Sequence, residues 1–214
     1  MKAFIFDLDG VIVDTAKYHF QAWKRIGEKL GFTLSHTQNE FLKGVSRIAS
    51  LDRILSWANT TLTEEEKQQL LVEKNEDYLA QISTMGQDEI LPGVLELLTY
   101  CQSNSILVAL GSASKNGTLI LEKLEITSFF NAIVDGNHVS KSKPDPEVFL
   151  KGAHALGVAP SDCAVFEDAA AGVDAARAAG MRTVGMGGAK EVAHADFCFH
   201  QMTEISTEFI RSLA

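Results

Sequence analysis

Residues 3–10 read Ala-Phe-Ile-Phe-Asp-Leu-Asp-Gly, and this stretch decides the fold of the 214-residue chain. Four apolar residues in a row, ended by an acid, are typical of a strand buried on both faces of a parallel sheet. Similar apolar runs that stop at polar or glycine residues lie at 105–110, 163–166 and 183–186, and weaker ones at 132–134 and 197–199. Helical patterns separate these runs, so the sequence predicts an α/β fold with a parallel sheet covered on both faces.

The segment after the first strand has a different pattern, because it contains no convincing strand. Helical stretches lie near 17–30, 37–42, 46–58 and 63–83. Thr63 and Glu66 have the spacing of a capping box, which marks the start of the last one. We therefore expect a core of residues 1–15 and 88–214, with an inserted all-helical cap of residues 16–87.

Composition excludes several classes of protein. The net charge of −9 disfavours nucleic acid as a partner, because the chain would repel the phosphate backbone. No apolar run has membrane-spanning length, and the first residues lack the pattern of a signal peptide. The three cysteines are widely spaced and form no metal-binding pair, so we expect reduced thiols and a cytoplasmic protein.

Acidic and polar side chains follow three of the predicted strands. Asp7 and Asp9 end the first, Ser112 follows the second, and Glu167 and Asp168 end the third. Ligands of parallel sheets bind beyond the carboxyl ends of the strands, so these groups should meet at one edge. Four converging carboxylates need a cation, and their hard oxygens suit Mg²⁺. The alternative is that the acids are solvated loop residues or helix caps.

A carboxylate beside Mg²⁺ can bind the metal, or it can attack an electrophile such as phosphorus. Phosphoryl transfer also needs groups that neutralise the phosphoryl oxygens, for which Ser112 and the N–H groups that follow it are candidates. Lys143 lies in a loop stiffened by Pro144 and Pro146, from which it could point at a phosphate as a point charge. A solvated surface lysine is the alternative reading.

These motifs resemble the four motifs of the haloacid dehalogenase (HAD) superfamily, in the same order. They are Asp7-Leu8-Asp9-Gly10-Val11, Ser112, Lys143 and Glu167-Asp168. The resemblance spans the whole chain, and it implies a Rossmann-like core, a magnesium cofactor and an aspartyl-phosphate on Asp7. The metal ligands would be Asp7, the backbone carbonyl of Asp9, Glu167 and Asp168.

Three segments, 14–23, 42–47 and 112–117, resemble more narrowly the β-phosphoglucomutase family of this superfamily. That resemblance implies interconversion of β-D-glucose 1-phosphate and β-D-glucose 6-phosphate through the 1,6-bisphosphate. Asp9 would be the general acid and base for the sugar hydroxyl, with its protonation set in part by His19. The transferring phosphoryl group would contact Ser112, Ala113 and Lys143, and the other phosphate Arg47, Ser114, Lys115 and Asn116. The sugar pocket would be formed by His19, Trp23, Leu42, Lys43, Gly44, Val45 and Lys74.

The mutase reading has physical support, since a mutase must bind a bisphosphate in two orientations and keep water from the aspartyl-phosphate. A hinged cap does this, and Thr15 and residues 86–90 are the predicted hinges. One departure from the family is Ala169-Ala170, where relatives often have Ser and Gln, so we expect an altered Mg²⁺ affinity. A monomer is expected.

Three alternatives stay open. Two are enzymes of the same superfamily, a sugar-phosphate phosphatase and a mutase for another glycosyl phosphate such as a phosphorylated disaccharide. The third is a phospho-acceptor switch without catalysis, which would need neither Asp9 nor a cap that carries Arg47 and Lys74.

Overall fold

The sheet is built outward from the first strand. The computed structural model describes residues 1–43, 45–188 and 190–213. Its strands are β1 (Ala3–Phe6), β2 (Leu107–Gly111), β3 (Ala132–Val134), β4 (Cys163–Glu167), β5 (Arg182–Met186) and β6 (Phe197–Phe199). They are all parallel and lie in the order β3-β2-β1-β4-β5-β6. The predicted α/β fold is confirmed, and the weaker candidates β3 and β6 form the two edges.

Strand β1 is central because both of its faces are apolar. Phe4 and Phe6 join the hydrophobic core on one side of the sheet, while Ala3 and Ile5 join the core on the other side. All four residues are fully buried. Alternate side chains of a strand point to opposite faces, so a continuous apolar run can pack against helices on both sides.

In the described part of the chain, five α-helices come after the inserted helical segment and pack on the sheet or at its edge. They are α5 (Val94–Ser103), α6 (Gly117–Lys123), α7 (Glu147–Leu156), α8 (Ala170–Ala178) and α9 (Thr207–Ser212). Val148 and Phe149 of α7 and Ala175 of α8 bury their side chains with Ile5, on the opposite face from Leu98 of α5. Both faces of the sheet are therefore covered, as the sequence predicts. Helix α9 was not predicted.

The helical segment has its own hydrophobic core. The helices of this segment are α1 (Ala16–Lys29), α2 (His36–Glu40), α3 (Arg47–Trp57) and α4 (Glu64–Ile82). Trp23, Ile26, Leu51, Ile54 and Leu71 form a cluster separate from those at the sheet. The predicted capping box is present: the N–H of Glu66 donates to Thr63 Oγ1 (3.2 Å), and the N–H of Thr63 donates to Glu66 Oε2 (2.8 Å). The division of the chain at residues 15 and 87 remains a prediction.

Two linkers join the cap to the core, and they run side by side. Val13 pairs with Ile90 in an isolated antiparallel bridge, and the N–H of Leu91 donates to the carbonyl of Ile12 (2.9 Å). Thr15 is fully buried, and its carbonyl accepts from the N–H groups of the third and fourth residues after it. Thr15 and residues 86–90 remain predicted hinges. In the described part of the chain, no helix combines the length and the apolar character that crossing a membrane requires.

Candidate active site

A cavity of about 500 Å³ lies between the cap helices and the edge of the sheet where β1 and β4 end. Its walls come from both parts of the molecule. The sequence-predicted site residues that line it are Asp7, Asp9, His19, Trp23, Leu42, Lys43, Val45, Arg47, Lys74, Ala113, Ser114, Lys115, Lys143 and Asp168. Residues far apart in the chain are thus brought to one space large enough for a sugar phosphate.

Three carboxylates form a compact cluster, and two of them, Asp7 and Asp168, line this cavity. One oxygen each from Asp7, Glu167 and Asp168 lies within 4.8 Å of the others. Their approach depends on glycines that leave room for the acids. A Cβ at Gly10, where φ is +77°, would lie 2.1 Å from Asp168 Oδ2, and one at Gly172 would lie 1.8 Å from Glu167 Oε1. The turn after β1 and the start of α8 therefore hold the acids against the backbone.

Lys143 ties two of these acids together. Its Nζ donates to Asp7 Oδ1 and to Glu167 Oε1, each at 2.6 Å, and all three side chains are almost fully buried. Burial by itself lowers the pKa of Lys143, but the charges of Asp7 and Glu167 outweigh it and raise that pKa above its ordinary value. The ammonium is therefore charged and fixed beside the Asp7 carboxylate.

The acidic cluster carries more negative charge than Lys143 can neutralise. Burial raises the pKa of Asp168 well above its ordinary value, and the charges of Glu167 and Asp7 raise it further. Burial and Asp7 likewise raise the pKa of Glu167, against the opposing effect of Lys143. A cation among these oxygens would remove that repulsion, and a set of carboxylate oxygens suits a hard divalent ion. The residues present therefore fit a divalent metal site. The Asp9 side chain is not in the cluster; the prediction for Asp9 concerns its backbone carbonyl.

Asp9 is placed differently from Asp7. Burial and the charge of Asp7 raise the pKa of Asp9 to about 7. Its Oδ1 is buried without a hydrogen-bond partner among the described residues, and its Oδ2 lies 3.9 Å from His19 Nε2. A carboxyl group with a pKa near neutrality can both donate and accept a proton, which is what a general acid and base must do.

His19 and Lys74 complete this side of the cavity. Lys74 Nζ lies 2.6 Å from His19 Nδ1. Burial lowers the pKa of Lys74 to about 7 and holds the pKa of His19 well below its ordinary value. The imidazole is therefore neutral. When Lys74 is an ammonium, Nδ1 accepts from it and the imidazole proton lies on Nε2, the nitrogen that faces Asp9.

Tyr78 supports this pair, and the sequence analysis missed it. Its ring stacks on that of His19 at a centroid distance of 4.2 Å, and Lys74 Nζ lies 4.6 Å from the Tyr78 centroid. Lys74 Nζ also lies 5.1 Å from the centroid of Trp23. The spacing of four residues between Lys74 and Tyr78 puts both on one face of α4 and could have pointed to Tyr78.

The loop after β2 is organised by its own serines. Ser112 Oγ accepts from the N–H of Ser114 (3.1 Å), and Ser114 Oγ accepts from the N–H of Asn116 (3.2 Å). Ser112 is buried, whereas Lys115 is exposed at the cavity. Helix α6 begins after these turns, at Gly117. The loop therefore presents polar groups rather than a helical turn to the cavity.

Arg47 of the cap and Asn116 of the core, two of the residues predicted to bind the second phosphate, both contact Asn75. The sequence analysis missed Asn75. Arg47 Nη2 donates to Asn75 Oδ1 (2.7 Å), and Asn116 Nδ2 donates to the same oxygen (3.0 Å). Asn75 follows Lys74 directly, but no sequence pattern singles it out. Its contacts depend on how α4 lies over the loop after β2.

The remaining predicted residues lie as follows. Leu42 is buried, while Lys43 and Val45 line the cavity; Gly44 lies outside the described residues. Ala169 donates its N–H to Glu167 Oε2 at 2.8 Å, a contact that needs no side chain. The effect of the alanines at 169 and 170 on metal affinity remains a prediction.

Comparison with known proteins extends these observations. A model of the haloacid dehalogenase-like hydrolase family matches residues 1–180. The β-phosphoglucomutase of Bacillus subtilis (strain 168) is 45% identical over 212 residues, covering 98% of this chain and 94% of that protein. Fructose-1-phosphate phosphatase YqaB of Escherichia coli (strain K12) is 33% identical over 180 residues, covering 84% of this chain and 93% of that protein. The crystal structure of β-phosphoglucomutase from Clostridium difficile matches with a TM-score of 0.96 and 41% identity. The match covers 100% of this chain and 96% of that one. The similarity to both mutases includes the cap residues as well as the core.

Proposed function

The chain belongs to the haloacid dehalogenase superfamily, and from that premise we propose that it interconverts β-D-glucose 1-phosphate and β-D-glucose 6-phosphate. One observation carries this proposal: a single cavity is lined by members of two separate sets of phosphate-binding candidates, Ala113 and Lys143 from one and Arg47, Ser114 and Lys115 from the other. The first set is Ser112, Ala113 and Lys143 beside Asp7, and the second is Arg47, Ser114, Lys115 and Asn116. A mutase needs both sets because its bisphosphate intermediate binds in either orientation, whereas a phosphatase needs only the first.

Asp7 is the proposed nucleophile. Its carboxylate oxygen attacks the phosphorus of a bound sugar phosphate, the bond from phosphorus to the sugar oxygen breaks, and an aspartyl-phosphate forms. Lys143 holds the attacking carboxylate and is close enough to pair with a phosphoryl oxygen as charge develops. Ser112 and the N–H of Ala113 would hold further phosphoryl oxygens.

Mg²⁺ is the proposed cofactor, held by Asp7, Glu167, Asp168 and the backbone carbonyl of Asp9. When bound, it supplies charge neutralisation for the phosphoryl oxygens. The compact oxygen cluster and the raised pKa values of Glu167 and Asp168 support this proposal.

Asp9 is the proposed general acid and base. It protonates the sugar oxygen as the bond to phosphorus breaks, and in the reverse transfer it takes the proton from the sugar hydroxyl that attacks the aspartyl-phosphate. A pKa of about 7 suits both directions near neutral pH. The N–H of His19 Nε2, which faces Asp9, favours the charged carboxylate as the hydroxyl arrives.

The cap would decide whether sugar or water receives the phosphoryl group. Trp23, His19 and Lys74 on the cap helices face the reacting groups, so a cap closed over the sugar excludes water from Asp7. Arg47, with the loop after β2, would hold the second phosphate and keep the bisphosphate bound until it turns around.

A sugar-phosphate phosphatase is the second candidate, favoured by the fructose-1-phosphate phosphatase among the relatives. A mutase for another glycosyl phosphate would use the same groups. We further propose a monomeric cytoplasmic enzyme. The three cysteines, all in the described part of the chain, are unpaired, which is consistent with a reducing compartment.

A single assay tests the proposal. The protein is mixed with Mg²⁺, β-D-glucose 1-phosphate and a trace of the 1,6-bisphosphate, and glucose 6-phosphate and free phosphate are followed together. We expect glucose 6-phosphate to form with little free phosphate. Fast phosphate release without glucose 6-phosphate would favour the phosphatase and rule out the mutase.

A further inference from the structure

Asn75 joins two of the groups proposed to bind the second phosphate. Its Oδ1 accepts one hydrogen bond from Arg47 of the cap and another from Asn116 of the core. An amide oxygen has two lone pairs, so these two donors use its full capacity as an acceptor. The same oxygen therefore fixes the positions of both donors.

The hydrogen bond between Asn75 and Asn116 joins the cap to the core. The other side-chain hydrogen bonds of the described residues that join helices α1–α4 or Ser83 to the core lie at the linkers, at Asp14 and Glu89, or at Lys123 of α6. The bond between Asn75 and Asn116 instead lies beside the cavity, where Ser114 and Lys115 form the wall. It therefore holds the cap to the core at the site itself.

The chemistry of the contact suits an anion site. Among the described residues, Arg47 has no carboxylate within ion-pair distance. Its guanidinium group is instead hydrogen-bonded to the neutral amide of Asn75. A long arginine side chain loses much rotamer freedom when it is fixed. Holding Arg47 in place before the ligand binds reduces that cost, while its positive charge stays available for a phosphate.

We propose that Asn75 is a positioning residue that assembles the second phosphate site by holding Arg47 and Asn116 before the sugar phosphate binds. This inference rests on the proposed function for the role of that site. It requires a neutral acceptor at position 75, because a carboxylate would pair with Arg47 and repel the incoming phosphate.

The test is calorimetric binding of glucose 6-phosphate to Asn75→Leu and Asn75→Asp. Gln69→Leu and Gln69→Glu are matched controls, since Gln69 is exposed on the same helix. We expect Kd to rise about tenfold in Asn75→Leu, the effect of one lost hydrogen-bonding partner, and further in Asn75→Asp. The Gln69 variants should bind like the wild type. Either Asn75 variant binding within about twofold of its Gln69 control would overturn the inference.

Two further readouts separate positioning from a general structural defect. Hydrolysis of acetyl phosphate, which has no second phosphate, should fall by a smaller factor in Asn75→Leu than the affinity for glucose 6-phosphate does. In an Arg47→Ala background, Asn75→Leu should weaken binding by a smaller factor than in the wild type, because one of the two groups that Asn75 holds is already gone. An equal loss of acetyl phosphate turnover, or an Asn75→Leu effect as large in the Arg47→Ala background as in the wild type, would contradict a role through Arg47.

Failure of this inference is distinct from failure of the proposed function. Binding needs no chemistry, so a wild-type protein that binds glucose 6-phosphate but does not interconvert the isomers would contradict the mutase proposal alone. A wild-type protein without saturable binding would overturn both.

Discussion

Asp7 and Asp9 are two residues apart, yet their surroundings differ. Lys143 donates to Asp7, whereas Asp9 has one oxygen without a partner in the described chain and a pKa raised to about 7. The difference supports the proposed attack on phosphorus by Asp7 and the proposed proton transfer by Asp9. In the sequence, both are acids at a strand end; their separate duties came from family resemblance, and the surroundings now give a physical reason.

Replacing Asp9 by asparagine tests the proton-transfer role. Asp9→Asn should lower mutase turnover about 10²–10⁴-fold, the usual contribution of a general acid or base. Mg²⁺ affinity, measured by calorimetry, should stay close to that of the wild type, because the Asp9 side chain is not in the acidic cluster. Normal turnover in this variant would show that another group moves the proton.

Removing the Lys143 charge should expose the repulsion in the acidic cluster. In metal-free protein, we expect Lys143→Met to lower the free energy of unfolding by about 3 kcal/mol, since Asp7 and Glu167 lose a buried partner. Saturating Mg²⁺ should stabilise this variant more than the wild type, because the ion supplies the missing positive charge.

Urea unfolding with and without Mg²⁺ measures both effects. Lys151→Met, a change at an exposed lysine of α7, is the control. Equal stabilisation of Lys143→Met and wild type by Mg²⁺ would contradict the view that the ion and the ammonium neutralise the same acids.

Lys74 gives a prediction for pH. Burial, then the charge of Arg47, lowers its pKa to about 7 in the folded protein, against the opposing effects of Asp9 and Asp77. The unfolded chain keeps the ordinary value of 10.5, so it binds more protons than the folded chain between about pH 7 and 10.5. The stability of the wild type should therefore rise with pH over this range, as far as Lys74 controls it.

Lys74→Met removes that titration. At pH 6–7 the variant should be more stable than the wild type by about 2 kcal/mol, because the buried ammonium is gone, and the gain should vanish near pH 10. Urea unfolding at several pH values measures it, with Lys24→Met at an exposed lysine as the control. A gain that does not depend on pH would contradict a buried, titrating lysine.

At the scale of elements, local patterns predicted most of the fold. The apolar runs predicted the strands because a buried parallel strand needs an apolar side chain on both faces, and the capping box of α4 is local chemistry. The second strand begins at Leu107 rather than at Ser105. Ser105 has a φ of +57°, outside the range of a strand, and the N–H of Ile106 donates to the carbonyl of Cys101 at the end of α5. That turn is set by backbone conformation, which hydrophobic patterning does not report.

The turn after β1 is the element most closely tied to the site. Gly10 has φ +77° and faces Asp168, where a methyl group would collide with the carboxylate. We expect Gly10→Ala to weaken Mg²⁺ binding by at least about tenfold, since Asp168 must move or the turn must open. Gly31→Ala, at an open position of similar φ, is the matched control for backbone strain in calorimetric titration. Equal affinities in the two variants would show that the close approach does not position Asp168.

At the scale of the whole molecule, the sequence indicated many of the residues that line the cavity but not how cap and core meet. Asp7, Lys143 and Asp168 follow strands whose order fixes their position, so motif spacing was informative. Asn75 and Tyr78 matter because α4 lies over the core loop and over α1. Such contacts depend on the placement of one domain on another, which a single sequence does not encode in a local pattern.

The whole structure places Asp7 and Asp9 beside one cavity, and we propose separate tasks for them beneath a cap that controls access. If this is correct, the phosphoryl group of the bisphosphate passes through Asp7 and no other residue. The most direct measurement is to mix the protein with Mg²⁺ and β-D-glucose 1,6-bisphosphate, stop the reaction early, reduce acyl phosphates with borohydride and map the product by mass spectrometry. We predict conversion of Asp7 to homoserine, absent when the bisphosphate is omitted. Reduction at another carboxylate, or none while glucose phosphates interconvert, would contradict a covalent intermediate on Asp7.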